Sequence, residues 1–175
     1  MKVGIIGSGG MAKALAGKWS AKHQVMLSGR DLEKAAGGAQ AFAGKVVIDI
    51  NNSISLETFL TTRDDGRSLT EAIAEALPGA HVGKAFNMAQ VAVWEDPDMT
   101  YDGRQMVTLY TADEAADAVI AALIADVGAA PLRLGDNGHA YQLEAAAAMV
   151  IKFLFAGRDP HTIFNFIQPE AKSIR

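Results

Sequence analysis

Apolar and polar positions along this chain change their period several times. The opening run Lys2-Val3-Gly4-Ile5-Ile6 is short, apolar and β-branched, which predicts a buried strand. Met11, Leu15 and Trp19 then recur at helical spacing, so Met11 to Ala21 predicts a helix with Trp19 in the core. Val25 to Leu27 reads as a second strand, and Asp31 to Gln40 has room for a short helix broken by Gly37-Gly38. Lys45 to Ile50 is a strong buried strand. Ser68-x-x-Glu71 is a capping-box pattern ahead of Leu69, Ile73 and Leu77, and Pro78-Gly79 ends that helix. His81 to Phe86 and Gln105 to Tyr110 are further strands. Thr111-x-x-Glu114 reads as a second capping box, opening a helix through Val119, Ile120, Leu123, Ile124 and Val127 that Gly128 closes. Ala130 to Leu134 is a last strand, and an Ala-rich helix runs from about Gly138 to Ala156. Strands alternating with helices predict an α/β fold, with a mostly parallel sheet and helices on both faces. One domain over residues 1–175 is expected, with 135–175 as a helical segment packing on the sheet or on a partner.

The first strand runs directly into Gly7-x-Gly9-x-x-Ala12 and then a helix, the order of a dinucleotide pyrophosphate site in a Rossmann-like fold. Gly7 makes the tight turn. Gly9 leaves room for the pyrophosphate, and Ala12 lets the helix lie close to the strand. Ala16 continues the small-residue spacing. The helix start at Ser8, Gly10, Met11 and Ala12 offers free N–H groups and a partial positive charge to phosphates.

The second strand ends about twenty residues on, where the adenosine ribose is read. NAD sites usually carry a carboxylate there. This chain has Ser28-Gly29-Arg30 instead, and a hydroxyl with a guanidinium suits a 2′-phosphate. The sequence therefore predicts NADP in preference to NAD, with a solvated surface role as the other reading of Arg30. Asp31, one residue later, is placed to cap a helix.

In an open α/β sheet, ligands lie beyond the carboxyl ends of the strands. Asn51, Asn52 and Asn87 fall there, so their amides are candidates for ribose hydroxyls or a carboxamide. An Asx turn at Asn51-Asn52 and a helix cap at Asn87 are the competing readings. His81 begins its strand, His23 ends a helix, and His161 lies near the end of the sequence. His139 alone follows a strand end, so it is the candidate proton donor, against a plain surface position at a helix start.

Composition narrows the class without naming a substrate. Half of the 175 residues are apolar and 21% are charged, as in ordinary globular proteins. A net charge of −4 gives no electrostatic case for nucleic acid or anionic membrane. No cysteine is present, which excludes disulfides and thiolate chemistry. No metal-ligand spacing such as His-x-x-x-His occurs. No apolar run is long enough to span a bilayer and no signal segment precedes the first strand, so a cytoplasmic location is expected.

The chain resembles the F420-dependent NADP reductase family of Rossmann oxidoreductases. The resemblance rests on Gly7-x-Gly9-x-x-Ala12, Ser28-Gly29-Arg30, Gly44-Lys45-Val46-Val47-Ile48-Asp49 and Lys84-Ala85-Phe86-Asn87. Asp49-Ile50-Asn51-Asn52-Ser53 stands where the family has Asp-x-Thr-Asn-Pro, and the Asp102-Gly103 turn and the Leu143-Glu144 helix also fit. The resemblance implies NADP(H) as cofactor, hydride transfer with coenzyme F420, a flavin or another small acceptor, and homodimers. Because the hydride passes directly between stacked rings, it implies few catalytic side chains.

One departure stands out. The family carries two further strands before the Gly-Lys-Val-Val strand, one ending against the nicotinamide. Here only Leu32 to Ala43 joins Asp31 to Gly44, too short for two strands with crossovers. Either the strand at 46–50 moves beside the first strand, or a partner chain fills the gap. Three functions follow as expectations: an NADPH-dependent oxidoreductase, a non-catalytic NADP-binding or sensing module, and a structural dimerisation protein. The dimer face expected on the last helix comprises Leu143, Ala146, Ala147, Val150, Ile151 and Leu154.

Overall fold

The computed structural model describes residues 1–28, 38–63 and 65–158. Strand β1 (Lys2–Ile6) leads into helix α1 (Gly10–Ser20), and β2 (Gln24–Ser28) returns beside β1. A 3₁₀ turn at Ala39–Phe42 precedes β3 (Val46–Asp49), helix α2 (Leu69–Ala76), β4 (His81–Lys84) and the short helix α3 (Val91–Glu95). Then come β5 (Thr100–Tyr101), β6 (Arg104–Gln105), β7 (Val107–Ala112), helix α4 (Glu114–Asp126) and β8 (Ala130–Gly135). A 3₁₀ turn at Asn137–His139 opens the last helix, α5 (Ala140–Phe155). The helix expected within 31–40 falls largely outside the described residues.

Local chemistry explains most element ends. The box at α2 forms in full: the Ser68 hydroxyl accepts from the Glu71 N–H, and Glu71 Oε2 accepts from the Ser68 N–H at 2.8 Å. The second box does not form as expected. Thr111 lies inside β7, and the cap of α4 is Asp113, whose Oδ1 accepts from the Ala116 N–H at 2.8 Å. The strand runs two residues further than its apolar pattern, and the carboxylate takes over the capping. Asp102 (φ 51°) and Gly103 (φ 72°) make the two positive-φ positions of the β5–β6 hairpin turn.

The strands form a parallel pair β1–β2 and a separate four-stranded sheet ordered β3-β4-β7-β8. Within the latter, β3–β4 and β7–β8 are parallel, but β4 and β7 are antiparallel, with Gly83 opposite Ala112 and Lys84 opposite Thr111. The path through α3 and the hairpin turns the chain round before β7. Of the two outcomes expected for β3, the move beside β1 does not occur, since β3 is bonded to β4 alone.

Side chains, not backbone bonds, join the two sheets. Ile5, Leu15 and Trp19 share one apolar cluster with Phe86, Trp94, Ile120, Leu123 and Ile124, and Val3 and Ile48 pack against it. Helix α1 carries the join. Trp19 Nε1 donates to the Leu123 carbonyl at 3.0 Å, and the Lys18 ammonium donates to the Asp96 carbonyl. Lys22 and His23 meet Asp126 at 2.8 and 2.7 Å, and their hydrogen bonds hold that carboxyl below the usual range. Helix α4 crosses β4 at Gly83, where a Cβ would fall 2.4 Å from both Ile120 Cδ1 and the Thr111 carbonyl, so no larger residue fits.

On the opposite face lies a buried ionic cluster. Lys84, with a side chain 0% exposed, places Nζ 2.6 Å from Asp49 Oδ2, 2.6 Å from the Asn51 carbonyl and 3.0 Å from Glu144 Oε1. The Thr70 hydroxyl also donates to Asp49 Oδ2 at 2.9 Å, and the Leu69 N–H donates to Glu144 Oε1 at 3.0 Å. These bonds tie β3, β4, α2 and α5 at one point. Removing one partner from such a cluster leaves uncompensated buried charge. Lys84→Met should therefore destabilise the protein by about 3–5 kcal/mol in urea unfolding. A loss below about 1 kcal/mol would show that the cluster holds nothing together.

Candidate functional site

The loop between β1 and α1 has the geometry of an anion cradle. Gly7 sits at φ +127°, a backbone conformation that side chains rarely adopt. Gly9 is the N-cap of α1, and no side chain caps the helix. The first intrahelical bond runs from the Lys13 N–H to the Gly9 carbonyl at 3.1 Å, leaving the N–H groups of Gly10, Met11 and Ala12 at the open end. No acidic residue stands in the first turn. A Cβ on Gly9 would meet nothing within 4 Å, so the space above it is open. Ser8 is exposed, and Ala12 is buried as expected for close packing.

Gly10 has a role the motif does not reveal. A Cβ there would lie 3.2 Å from both methyls of Val91, so the start of α1 rests against the start of α3. This contact brings the glycine loop beside the segment that leaves the carboxyl end of β4. The backbone of Ser28 pairs with Ile6 at the end of β1, next to the loop. Gly29 and Arg30 lie outside the described residues.

The asparagines cluster at the carboxyl ends of β3 and β4, but they chiefly bind one another. Asn52 Nδ2 donates to the Asn87 carbonyl and Asn87 Nδ2 donates to Asn52 Oδ1, both at 2.9 Å. Asn87 Nδ2 also donates to the Leu143 carbonyl at 3.1 Å, and Asn87 Oδ1 is buried without a partner. The Asn51 N–H and Nδ2 both donate to Asp49 Oδ1, at 2.9 and 3.2 Å. The Asx turn here is made by Asp49, whose carboxylate accepts from the Asn51 N–H, and not by Asn51 or Asn52 as the sequence suggests; Asn52 with Asn87 clasps the two strand-end loops. Phe86, just before the clasp, has φ +62°, a strain of about 1–3 kcal/mol for a bulky residue. It is wedged edge-on between Trp19 and Trp94, with centroids 5.6 and 5.2 Å away.

His139 stands at the other edge, and this corrects the expected placement. Because β7 opposes β4, the end of the parallel strand β8 points back to the amino end of β4. There the next residues dock, with Asn137 Nδ2 donating to the Val82 carbonyl at 2.9 Å. His139 Nδ1 lies 3.0 Å from Asp136 Oδ1, both side chains being largely exposed, and their bond holds the Asp136 carboxyl low. His139 is not gathered with the glycine loop or the asparagines. His23 is taken up by Asp126 and by the N-terminal amine, its Nδ1 lying 3.2 Å from the latter.

The Lys84–Asp49–Glu144 cluster went unread in the sequence, although a signal was present. Lys84 and Asp49 interrupt strands that are otherwise apolar, and a charge in such a position requires a buried partner.

Comparison with known proteins fits this geometry. Residues 2–54 match the family described as NADP oxidoreductase, coenzyme F420-dependent. The resemblance drawn from the sequence therefore holds on the segment carrying β1, the glycine loop and the loop after β3. A candidate F420-dependent NADP-reductase from Arthrobacter sp. FB24 superposes with a TM-score of 0.76 at 23% identity, covering 89% of this chain and 94% of that one. A hypothetical protein from Sinorhizobium meliloti gives 0.63 at 25% identity, over 79% and 88% of the two chains. A reductive aminase from Aspergillus terreus, solved with NADPH and ethyl levulinate, gives 0.58 at 20% identity, over 89% of this chain and 62% of that one. No significant match is found among curated proteins.

The backbone of Gly9 (φ −74°, ψ −178°) is one any residue adopts, and its Cβ position is free. Gly9→Val should therefore fold normally, with its side chain filling the space over the N–H groups. Isothermal titration with NADPH should show binding weakened at least a hundredfold, about 2.7 kcal/mol. Unchanged affinity in a folded variant would remove this loop from the site.

Proposed function

We propose that this chain is an NADP(H)-dependent oxidoreductase. The observation that carries the reading is the uncapped start of α1, with open space over Gly9, at the carboxyl end of β1. A helix N-terminus that no side chain caps favours the pyrophosphate of a dinucleotide. The match of residues 2–54 to an NADP oxidoreductase family supports the same reading. Ser28, Gly29 and Arg30 supply the 2′-phosphate preference, and the nicotinamide would provide a hydride to, or take one from, a small acceptor. Coenzyme F420 is the acceptor that the family description names, and a flavin is the alternative with a similar hydride-accepting ring. Here the chain's own residues bind and orient.

The separation of β1 from β3 favours a second reading, binding without turnover. Hydride transfer needs donor and acceptor held at close contact, and a misplacement of about 1 Å costs about a hundredfold. Arg30→Ala should weaken NADPH binding by about 1.5–3 kcal/mol, as for a hydrogen bond to a charged group, and leave NADH unchanged. Equal losses for both would show that Arg30 does not read the phosphate. NADPH oxidation with F420 and flavins, run beside the titration, separates enzyme from binding module.

We also place a homodimer contact on α5, though not on the face expected. Leu143 and Ala147 are buried in their own chain, and the outward stripe is Tyr141, Ala145, Met149 and Phe153 at four-residue spacing. Sedimentation at micromolar concentration should give a dimer that Met149→Glu with Phe153→Glu dissociates. A wild-type monomer refutes it.

A further inference from the structure

The loop that follows β3 closes on itself and carries bare apolar side chains. The Ser55 N–H donates to the Leu60 carbonyl at 2.9 Å, the Phe59 N–H donates to the Ser55 carbonyl at 2.7 Å, and Ile54 bridges Thr61. Phe59 sits at φ +56°, a strained conformation for a bulky residue, and its ring meets Phe155 of α5 edge-on, with centroids 5.6 Å apart. Leu56 and Leu60 on this loop and Phe155 itself are 62%, 68% and 69% exposed. Large apolar side chains gathered on one patch mark a contact surface. The end of α5 decides which part of the chain lies nearest to it. Gly157, at φ +69°, donates from its N–H to the Leu154 carbonyl, and the Arg158 N–H donates to the Phe153 carbonyl, both at 2.9 Å. This pair of bonds is a Schellman closure, which turns the chain out of the helix at the turn that carries Phe155. The described chain stops at Arg158, so the residues after it start beside the patch.

We propose that the segment 160–168 of this same chain seats on the patch of Leu56, Phe59, Leu60 and Phe155. Its sequence pattern matches that surface. At helical spacing, Ile163, Phe164, Phe166 and Ile167 fall within one arc of about 160°, and His161, Thr162, Asn165 and Gln168 fill the rest. Asp159-Pro160 is a helix-start pair and Pro169 a stop. No Lys, Arg, Asp or Glu stands between Pro160 and Pro169, so the contact buries no such charge. Ile163 follows Arg158 by five residues, a span of at most about 17 Å. So short a tether holds the segment at high effective concentration over the patch, which favours it over a second copy of the chain. Apolar area removed from water supplies the attraction. The patch is separate from the stripe of Tyr141, Ala145, Met149 and Phe153 on α5. It depends on neither the dimer nor the cofactor reading.

Because the chain has no cysteine, engineered thiols report on this contact without interference. In the whole chain, Leu60→Cys is combined in turn with Ile163→Cys, Phe164→Cys, Ile167→Cys and, on the polar arc, Asn165→Cys. Under mild oxidation at low protein concentration, at least one apolar-arc pair should form an intramolecular disulfide about tenfold faster than the Asn165 pair, since the bond needs close and aligned Cβ atoms. Hydrogen exchange gives a second reading on the unaltered protein. The amides of 162–168 should exchange more slowly than those of a free peptide, and Leu56→Asp with Leu60→Asp should release that protection while β4 and α4 stay protected. Disulfides formed only between molecules would give the patch to a second copy and overturn the proposal. Equal rates for all four pairs, or wild-type exchange at 162–168 as fast as in a free peptide, overturn it too.

Discussion

The burial of Lys84 is the constraint on which much of this architecture depends. Its ammonium cannot reach water, so every neighbour must be an acceptor held in place. Asp49 meets this need from β3, Glu144 from α5 and the Asn51 carbonyl from the loop between them. Two carboxyl groups surround one ammonium, and one of them, Glu144, also reaches the start of α2. There the Leu69 N–H bonds Glu144 Oε1, at the end where the helix dipole is positive. One cluster thereby fixes the register of β3 on β4, the seating of α2 and the depth of α5 across the sheet. The Asn52–Asn87 clasp sits on top of it, so the shape of the carboxyl edge follows from the same buried charge.

The gap between β1 and β3 has the opposite character, since among the described residues no hydrogen bond spans it. A sheet normally transmits position through backbone hydrogen bonds. Here the β1–β2 pair is located by Trp19 and the end of α1 pressing on α4. Side-chain packing of this kind resists separation but specifies angle less strictly than a shared ladder does. The loop at Gly9 gains a firmer reference from Gly10 against Val91, where the absence of a side chain permits a close approach. The glycine loop is thus positioned relative to the end of β4 by α3, not by the sheet.

What the sequence made legible was local. Both halves of the capping box at Ser68, the glycine turn, and the strands at 46–49 and 81–84 are set by neighbours a few residues apart, and their patterns could be read directly. Of the short linker at 32–43, the described part forms a 3₁₀ turn at Ala39–Phe42. Failures arose where distant contacts decide. Thr111 matched a capping pattern, but pairing with β4 and β8 kept it in a strand and left the cap to Asp113. Strand direction leaves no periodic trace, so β7 was read as one more parallel strand and His139 was assigned to the wrong edge. On α5 a distant contact likewise takes two residues of the expected dimer face, Leu143 and Ala147, into the chain's own core. The buried side is set by Glu144 reaching Lys84, which turns Leu143 and Ala147 inward and Met149 and Phe153 outward.

The reversal at β7 has a further consequence for chemistry. Helix α5 starts at the amino edge, crosses Lys84 at Glu144 and passes Asn87 at Leu143, so its later turns overhang the carboxyl edge. Phe155 reaches Phe59 in the loop after β3, with ring centroids 5.6 Å apart. The wall over the ligand edge is therefore apolar, supplied by the end of a helix, while the polar groups beneath it are occupied with one another. Among the described residues, Asn51, Asn52 and Asn87 at that edge are held by Asp49 and by one another, so they are committed to the shape of the edge.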